Sequence, residues 1–238
     1  RIDSDGTVLE NKILTTGALI MAAGSLNTTK LLVRAGATGA IPELPDQLGQ
    51  GWGTNADRIY VWSSIEQQFG TPQGGPVVFG SLNWDDPRTA HTVIQASIPP
   101  LGVDAHSTMI VGYGVSDGRG HVAYDSTRDR AQLYWPANGD SVIQDGSIDP
   151  TVRRIAGSGS ILTDTNAVFP STWHPLGGAN MGPVCDLDGR VHGQRGLYVL
   201  DGALMPGNTA ACNPSMTIAA LAERALDNIV ARDLDTIV

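Results

Sequence analysis

His174 is the first residue whose type and setting could do chemistry. It stands in the segment Trp-His-Pro-Leu-Gly-Gly over residues 173–178. A residue before proline favours extended backbone, so we expect His174 in a loop rather than inside a helix. Displayed at the tip of such a loop, the imidazole can serve as acid or base near neutral pH. A lone histidine is more often a solvated or core residue, and the segment by itself leaves that alternative open.

A second candidate is the helix start near residue 213. Asn213 is a favourable N-cap, and Pro214 suits the first helical position. The free N–H groups at this end carry the positive end of the helix dipole, which favours an anion or a developing negative charge. A plain N-cap is the simpler interpretation of the segment taken alone.

Two further segments place turn residues directly after short apolar strands. Ala23-Gly24 follows one such strand, and Asp201-Gly202 follows another. In open α/β sheets, cofactor contacts usually lie at this end of a strand. The first turn lacks a complete GxGxxG, so neither segment by itself predicts a dinucleotide site.

The elements that must position these groups differ along the chain. Both ends alternate short apolar strands with helices, whereas residues 91–136 read as antiparallel strands. We therefore predict an α/β fold in which 1–56 and 173–238 form one domain and 57–172 form a second, antiparallel-sheet domain. The predicted elements are a hairpin over 2–10 turning at Asp5-Gly6, a strand over 18–22 buried on both faces, a helix over 25–35, strands over 91–98, 107–115, 121–124 and 132–135, a helix over 141–157, a strand over 196–200 and a helix over 214–232.

Composition excludes several classes of function. The 238 residues include 15 Lys+Arg and 24 Asp+Glu, a net charge of −9, which argues against a nucleic-acid surface. Two cysteines rule out a disulfide-rich scaffold, and the histidines share no metal-ligand spacing, so no metal site is predicted. No apolar run approaches the roughly 20 residues of a membrane-spanning helix. Whether Cys185 and Cys212 form a disulfide stays open.

Taken in order, these segments resemble the C-terminal half of the glucose–methanol–choline (GMC) family of FAD-dependent alcohol oxidoreductases. The resemblance is strongest to the bacterial cholesterol oxidase branch and spans nearly the whole chain. The stretches that carry it are 21–35 with 51–55, 121–130, 173–178, and 189–190 with 196–202, 213–214 and 217–224.

The resemblance implies an alcohol substrate and FAD as the cofactor. His174 would handle the proton of the substrate hydroxyl, and Asn213 would hydrogen-bond the substrate or the flavin edge. Hydride would leave for the flavin as the O–H proton is removed. The residues implied to contact FAD are Ala23, Gly24, Asp201 and Gly202 at the ribityl and phosphate region, and Asn213 with the main chain of Pro214, Ser215 and Met216 at the isoalloxazine.

Two departures from the family bear on the substrate. Sterol oxidases carry a glutamate on a strand of the middle sheet that shifts a double bond, and here Gln95-Ala96 stands at that place with no acid nearby. Ser215 replaces a bulky aromatic residue after Asn-Pro. A steroid or another apolar, polycyclic alcohol fits the family, but these departures put isomerisation in doubt and point to a differently shaped or more polar substrate.

The family's GxGxxG fingerprint, which grips the FAD pyrophosphate, is missing from this chain. We therefore expect a second polypeptide that carries the N-terminal half of the fold, produced by proteolytic processing or a split gene. A truncated chain that does not bind FAD is the alternative. The compartment stays open, because an export signal would lie on that other half. Two other functions also stay open, a redox-neutral flavin-dependent reaction (lyase, dehydration or cyclisation) and a degenerate binding subunit.

Overall fold

The computed structural model describes residues 3–69, 79–96 and 106–237. Within these ranges the chain is a mixed α/β protein with a parallel strand pair, a five-stranded antiparallel sheet and a separate hairpin. The strands are β1 (Leu19–Met21), β2 (Arg58–Ser64), β3 (Gly80–Asn83), β4 (His91–Ala96), β5 (Ser107–Gly114), β6 (His121–Asp125), β7 (Arg130–Tyr134), β8 (Ser160–Asp164) and β9 (Leu197–Val199). The helices are α1 (Ser25–Ala37), α2 (Ser141–Ile143), α3 (Asp149–Ala156) and α4 (Ser215–Ile237), with a π-helical turn over Gln144–Ile148 between α2 and α3.

The first and last segments of the chain meet in the parallel pair of β1 and β9, in which Leu19 lies opposite Leu197. Leu32 of α1 packs in the buried cluster beneath Val199, and α4 covers the other side of β9. These strands and both flanking helices are confirmed. The predicted burial of β1 on both faces is wrong, since Leu19 and Ile20 are each 47% exposed. Among the described strands β1 has a single neighbour, which leaves part of it uncovered.

The antiparallel sheet runs in the order β3-β4-β5-β2-β8 and has two chemically distinct faces. On one face, Tyr60 and Val93 pack against Ile148 and Val152 of the helical segment. We call this the helix face. The other face, which we call the Tyr113 face, consists of Ile59, Ile94, Ala96, Met109, Val111 and Tyr113.

Two sequence predictions need correction here. The strands β6 and β7 pair only with each other, because Gly120 and Val122 bond instead to Trp52 and Gly49. The hairpin predicted over 2–10 keeps only a turn, closed by Asp3 N–H donating to the Thr7 carbonyl, and the described strands begin at β1. An isolated two-stranded hairpin has too little apolar surface to bury. Residues 2 and 97–98, which the predicted strands included, lie outside the described residues.

The helix predicted over 141–157 is confirmed, although its middle turn is π-helical. Pro150 lies in the first turn of α3, directly after the π-helical turn, and its missing N–H interrupts the helical hydrogen bonds at this place. Gln144, in the π turn, donates from Nε2 to the carbonyls of Ala56 and Asp57. The widened turn thus holds the chain just before β2.

The helix α4 begins one residue after the predicted first position and continues five residues past the predicted end at Arg232. Within the described residues, no helix, α4 included, combines the length and apolar character needed to cross a membrane. The division of the chain into 1–56, 57–172 and 173–238 stays a prediction.

Arg190 connects the turn before β9 to α4 through ion pairs. Replacing Arg190 measures how much these ion pairs contribute to stability. Its guanidinium lies 2.7 Å from Asp233 of α4 and 2.9 Å from Asp188. The hydrogen bond from Arg190 lowers the pKa of Asp233. A carboxyl with a lowered pKa stabilises the fold above its ordinary pKa of about 4, and this contribution is lost as the pH falls. We expect Arg190→Gln to lower the free energy of unfolding by about 1–2 kcal/mol at pH 7, and by less at pH 3.

Urea denaturation at both pH values measures this difference. The matched control is Arg88→Gln, since Arg88 pairs with Asp86 in a fully solvated setting and should contribute little. Equal losses in the two variants, or a loss that does not depend on pH, would contradict the expectation.

Candidate functional site

A buried pair of His174 and Asp57 forms the centre of the candidate site. His174 Nδ1 lies 2.6 Å from Asp57 Oδ1, and the side chains are 7% and 0% exposed. The carboxylate can only accept, so Nδ1 carries the proton and the tautomer follows from this bond. His174 Nε2, which makes no hydrogen bond to any described residue, is then left as a proton acceptor.

The second oxygen of Asp57 holds the backbone of the histidine loop. Oδ2 accepts from Trp173 N–H at 2.9 Å, from His174 N–H at 3.1 Å and from the Thr172 hydroxyl. One carboxylate therefore fixes both the ring and the chain that carries it. The loop conformation of His174 is confirmed, but its display at an exposed tip is wrong, since His174 is 6% exposed. The Asp57 carboxylate, which accepts from both the ring and the loop backbone, holds it inside.

Tyr113, from the Tyr113 face of the sheet, packs against the imidazole. The ring centroids of Tyr113 and His174 are 5.0 Å apart, edge to face at 76°. Burial raises the pKa of the Tyr113 phenol, and negative charge on Cys212 and Asp57 adds to the shift. Tyr113 thus lies between the histidine loop and the segment that precedes Asn213.

The segment before α4 is held by hydrogen bonds from two earlier parts of the chain. Thr92 donates to the Ala211 carbonyl at 2.7 Å, and Asn55 donates to the Cys212 carbonyl at 3.0 Å. Asn213 Oδ1 accepts from Ser215 N–H at 3.0 Å, which confirms the predicted N-cap. The Asn213 side chain is exposed, so its amide N–H groups are available to a ligand. Its catalytic role stays a prediction.

The two turn segments predicted to contact a cofactor lie side by side. Gly24 N–H donates to Asp201 Oδ2 at 2.9 Å, and Asp201 Oδ1 accepts from Ala203 N–H at 2.8 Å. The Gly202 carbonyl accepts from Gly177 N–H at 2.8 Å. The segments around residues 24, 177 and 201 therefore converge, although they are far apart in the sequence.

Gly177 is the junction of these segments. Its carbonyl accepts from the hydroxyls of Ser25 and Thr29 at the start of α1, at 3.0 and 3.3 Å. Its φ is +79°, and a Cβ at this position would lie 2.6 Å from the Gly51 carbonyl oxygen. The close approach of two backbones requires glycine here.

The residues predicted to contact FAD fit such a group in most respects. Ala23, Gly24, Asn213, Ser215 and Met216 are solvent-exposed, and a Cβ added to Gly24 would meet no atom within 4 Å. The start of α4 is thus open to a ligand. Two features limit the fit. Gly202 and Pro214 are buried, and the Gly24 N–H is already bound to Asp201. The cofactor-contact roles stay predictions.

The position assigned to the sterol-oxidase glutamate lies at the end of β4. Ala96 is on the Tyr113 face, whereas Gln95 is on the helix face and donates to Thr108 Oγ1 at 3.2 Å. Gln95 borders a cavity of about 330 Å³ that is also lined by Trp62 and Ile155. Strands β2, β4 and β5 contribute no acidic side chain, so the Tyr113 face lacks a carboxylate from its own strands.

A second cavity borders the Asp57–His174 pair. It measures about 370 Å³ and is lined by Trp52, Asp57, Asp140 and Thr172, among others. Burial raises the pKa of Asp140, although it accepts from Ser116 and Thr54. The Asp57 side chain has no exposed surface, so a ligand in this cavity would meet the residues around the pair rather than the carboxylate itself.

The open question about the cysteines is answered, because Cys185 is buried, Cys212 is exposed and both are free thiols. Burial raises the pKa of Cys185 to about 12, so it remains protonated at neutral pH. The described ranges contain no cluster of three His, Cys, Asp or Glu side chains placed to hold a metal ion.

The sequence predictions missed Asp57 and Tyr113. Asp57 is 117 positions away from His174, so no local spacing connects them. A faint signal was present, since Asp57 follows the 51–55 stretch by two residues. Tyr113 is indistinguishable in sequence from an ordinary strand residue.

Comparisons with known proteins show similarity to oxidoreductases. Residues 118–222 match the family model described as GMC oxidoreductase. A cholesterol oxidase from Acinetobacter baumannii is 26% identical and covers 90% of this chain and 47% of its own length. A C-glycoside 3-oxidase from Microbacterium trichothecenolyticum is 28% identical, with 89% and 46% covered. The chain thus spans about half the length of the curated relatives it matches.

Solved structures show a similar fold. Pyridoxine 4-oxidase from Mesorbium loti superposes with a TM-score of 0.62 at 16% identity, covering 90% of this chain and 52% of that one. An FAD-dependent oxidoreductase from Chaetomium thermophilum gives 0.65 at 16% identity, covering 92% and 56%. The chain therefore has the fold of these oxidoreductases, and its residues 118–222 match the C-terminal domain model of GMC oxidoreductases.

Proposed function

We propose that this chain forms the substrate-facing half of an FAD-dependent enzyme that oxidises the CH–OH group of an alcohol to a carbonyl. The observation that carries the proposal is the buried Asp57–His174 pair, which leaves Nε2 free to accept a proton. The substrate O–H gives its proton to Nε2, and the carbon gives up hydride with its electron pair. FAD, when bound, supplies the acceptor for that hydride.

Asn213 and the start of α4 have supporting roles in this proposal. Because Asn213 Oδ1 is bound to Ser215 N–H, the amide presents its N–H groups to the substrate oxygen or the flavin edge. The main chain of Pro214, Ser215 and Met216 lies at the positive end of α4, which favours negative charge placed before it. Ala23-Gly24 and Asp201-Gly202 would hold the ribityl and phosphate region of FAD.

A second polypeptide with the GxGxxG half of the fold is part of the proposal. One observation of the structure supports it, since β1 has a single neighbour among the described strands and exposes Leu19 and Ile20. In that arrangement 1–56 and 173–238 complete an FAD-binding domain, and 57–172 form the substrate domain.

The substrate we propose is an alcohol with an apolar body. Ile94, Ala96 and Met109 on the Tyr113 face offer apolar surface near His174. Shifting a carbon–carbon double bond needs a group that moves a proton between carbons. With Ala96 in place of the glutamate, we propose that the product leaves without isomerisation.

The visible spectrum and the intact mass of the purified material test the cofactor and the second chain. We expect the absorbance bands of oxidised flavin and a co-purifying chain of similar size. Anaerobic addition of an alcohol substrate should bleach the bands. Material without flavin contradicts the proposal, and conversion of a substrate without bleaching favours the redox-neutral alternative.

Replacing His174 tests the proton acceptor. We expect His174→Gln to keep the flavin and to slow its reduction by alcohol about 100- to 10,000-fold, measured by stopped-flow absorbance. The matched control is His121→Gln, since His121 is exposed and stacks on Tyr134 in the separate hairpin. An unchanged rate in the His174 variant would favour a binding subunit over an enzyme.

A further inference from the structure

The hydroxyl of Tyr113 has no hydrogen-bond partner among the described residues, although the residue is 6% exposed. Among the described residues, Trp52 Nε1 is the one buried side-chain polar atom that has neither contact with solvent nor a hydrogen-bond partner. The Tyr113 hydroxyl is therefore unpaired but reached by solvent.

Three other tyrosines of the chain have a hydrogen-bond partner for the hydroxyl. The hydroxyl of Tyr60 donates to Asp149 at 2.9 Å, that of Tyr198 to Asp233 at 2.8 Å and that of Tyr124 to Asp129 at 2.7 Å. A largely buried phenol normally finds such a partner, because an unpaired polar group destabilises the fold. Tyr113 departs from this pattern at the place where the proposed substrate binds.

Two atoms with complementary hydrogen-bonding roles lie on neighbouring side chains here. His174 Nε2 is an acceptor without a partner, and the Tyr113 hydroxyl is a donor without one. The rings that carry them are in edge-to-face contact. Thr92, the strand partner of Tyr113, donates to the Ala211 carbonyl, which brings this part of the sheet next to the Asn213 segment. The residues that pack around Tyr113 in this hydrophobic cluster are apolar, and the hydroxyl of Thr92 is already bound to the Ala211 carbonyl.

We propose that the Tyr113 hydroxyl donates a hydrogen bond to the substrate oxygen while His174 Nε2 accepts the proton of that same oxygen. This inference rests on the proposed function. Tyr113 keeps its own proton throughout, so no atom passes through it. As the O–H bond breaks, negative charge grows on the oxygen and the phenol donor stabilises it. The two bonds also fix the direction of the C–H bond that is lost.

Tyr113→Phe removes the hydroxyl and keeps the ring against His174. We expect kcat/KM for flavin reduction to fall about 10- to 100-fold, with an unchanged or higher melting temperature, because the lost hydroxyl was unpaired. Tyr60→Phe is the matched control. It removes a paired hydroxyl on the helix face, so it should lower the melting temperature and leave kcat/KM unchanged.

The pH profile separates a donor from a packing role. The phenol faces His174, Asp57 and Cys212, and its pKa is raised above the ordinary value of about 10. The wild type should lose activity as the phenol ionises at high pH, and the Tyr113→Phe variant should lack this decline. Equal kcat/KM in wild type and variant overturns the inference.

Failure of the proposed function is recognised separately. If no alcohol bleaches the flavin of the wild type, that proposal fails, and a direct binding measurement then decides the role of Tyr113. With tyrosine labelled at ¹³Cζ, added cyclohexanol should shift the signal of Tyr113 and not that of Tyr60. An unmoved Tyr113 signal overturns the inference.

Discussion

Asp57→Asn is expected to slow flavin reduction by alcohol about 1,000- to 10,000-fold while the fold persists. The reason lies in the donors around the carboxylate. Three of them, from Thr172, Trp173 and His174, converge on Oδ2. Asparagine has one acceptor oxygen, and these donors fix it at that position. Its NH₂ group must then face His174 Nδ1, which forces the proton onto Nε2 and removes the proton acceptor.

Stopped-flow kinetics give the rate, and ¹⁵N NMR of labelled histidine reports which ring nitrogen carries the proton. Asp140→Asn is the matched control, because Asp140 is also largely buried and accepts from two hydroxyls, yet it does not touch His174. We expect that control to keep the rate. A normal rate in the Asp57 variant, or a proton still on Nδ1, would show that Asp57 does not position the base.

The second large effect is expected from Gly177→Ala, which should lower the free energy of unfolding by about 3–5 kcal/mol and abolish flavin binding. The added Cβ would lie 2.6 Å from the Gly51 carbonyl oxygen, and the φ of +79° disfavours a side chain. Relief of the contact must separate Gly177 from Ser25 or Gly202, so the cofactor segments lose their junction.

Gly182→Ala is the control that introduces the strain of a positive φ without a steric clash. Gly182 has a φ of +96°, but a Cβ there would meet no atom within 4 Å. This variant should lose only about 1–2 kcal/mol in chemical denaturation. Similar losses in both variants would mean that Gly177 is needed for its conformation and not for the close approach.

The sequence predicted the parts of the fold that rest on local signals. The N-cap of Asn213 and the apolar stripe of α4 are short-range patterns, as is the strand, turn and helix over 18–35. Each agrees with the structure to within a few residues. His174 also lies in a loop, because Pro175 restricts the backbone of the residue that precedes it.

The features that sequence did not predict depend on contacts between distant segments. The partner of His174, its burial and its contact with Tyr113 all depend on how β2, β5 and the 173–178 loop pack together. The hairpin over 2–10 had a suitable turn, but no layer covers Val8 and Leu9, which are both more than half exposed. A strand pattern becomes a strand only where another surface buries it.

The pairing of β1 with β9 also bears on how the protein is made. Gly24 and Asp201 are 177 residues apart, and the chain between them must be closed into a loop before their hydrogen bond can form. Such high contact order slows folding. On the ribosome, β1 is without its partner strand until β9 is synthesised, because Leu19 and Leu197 are 178 residues apart. Chaperone protection of this early strand therefore favours a high yield of active protein.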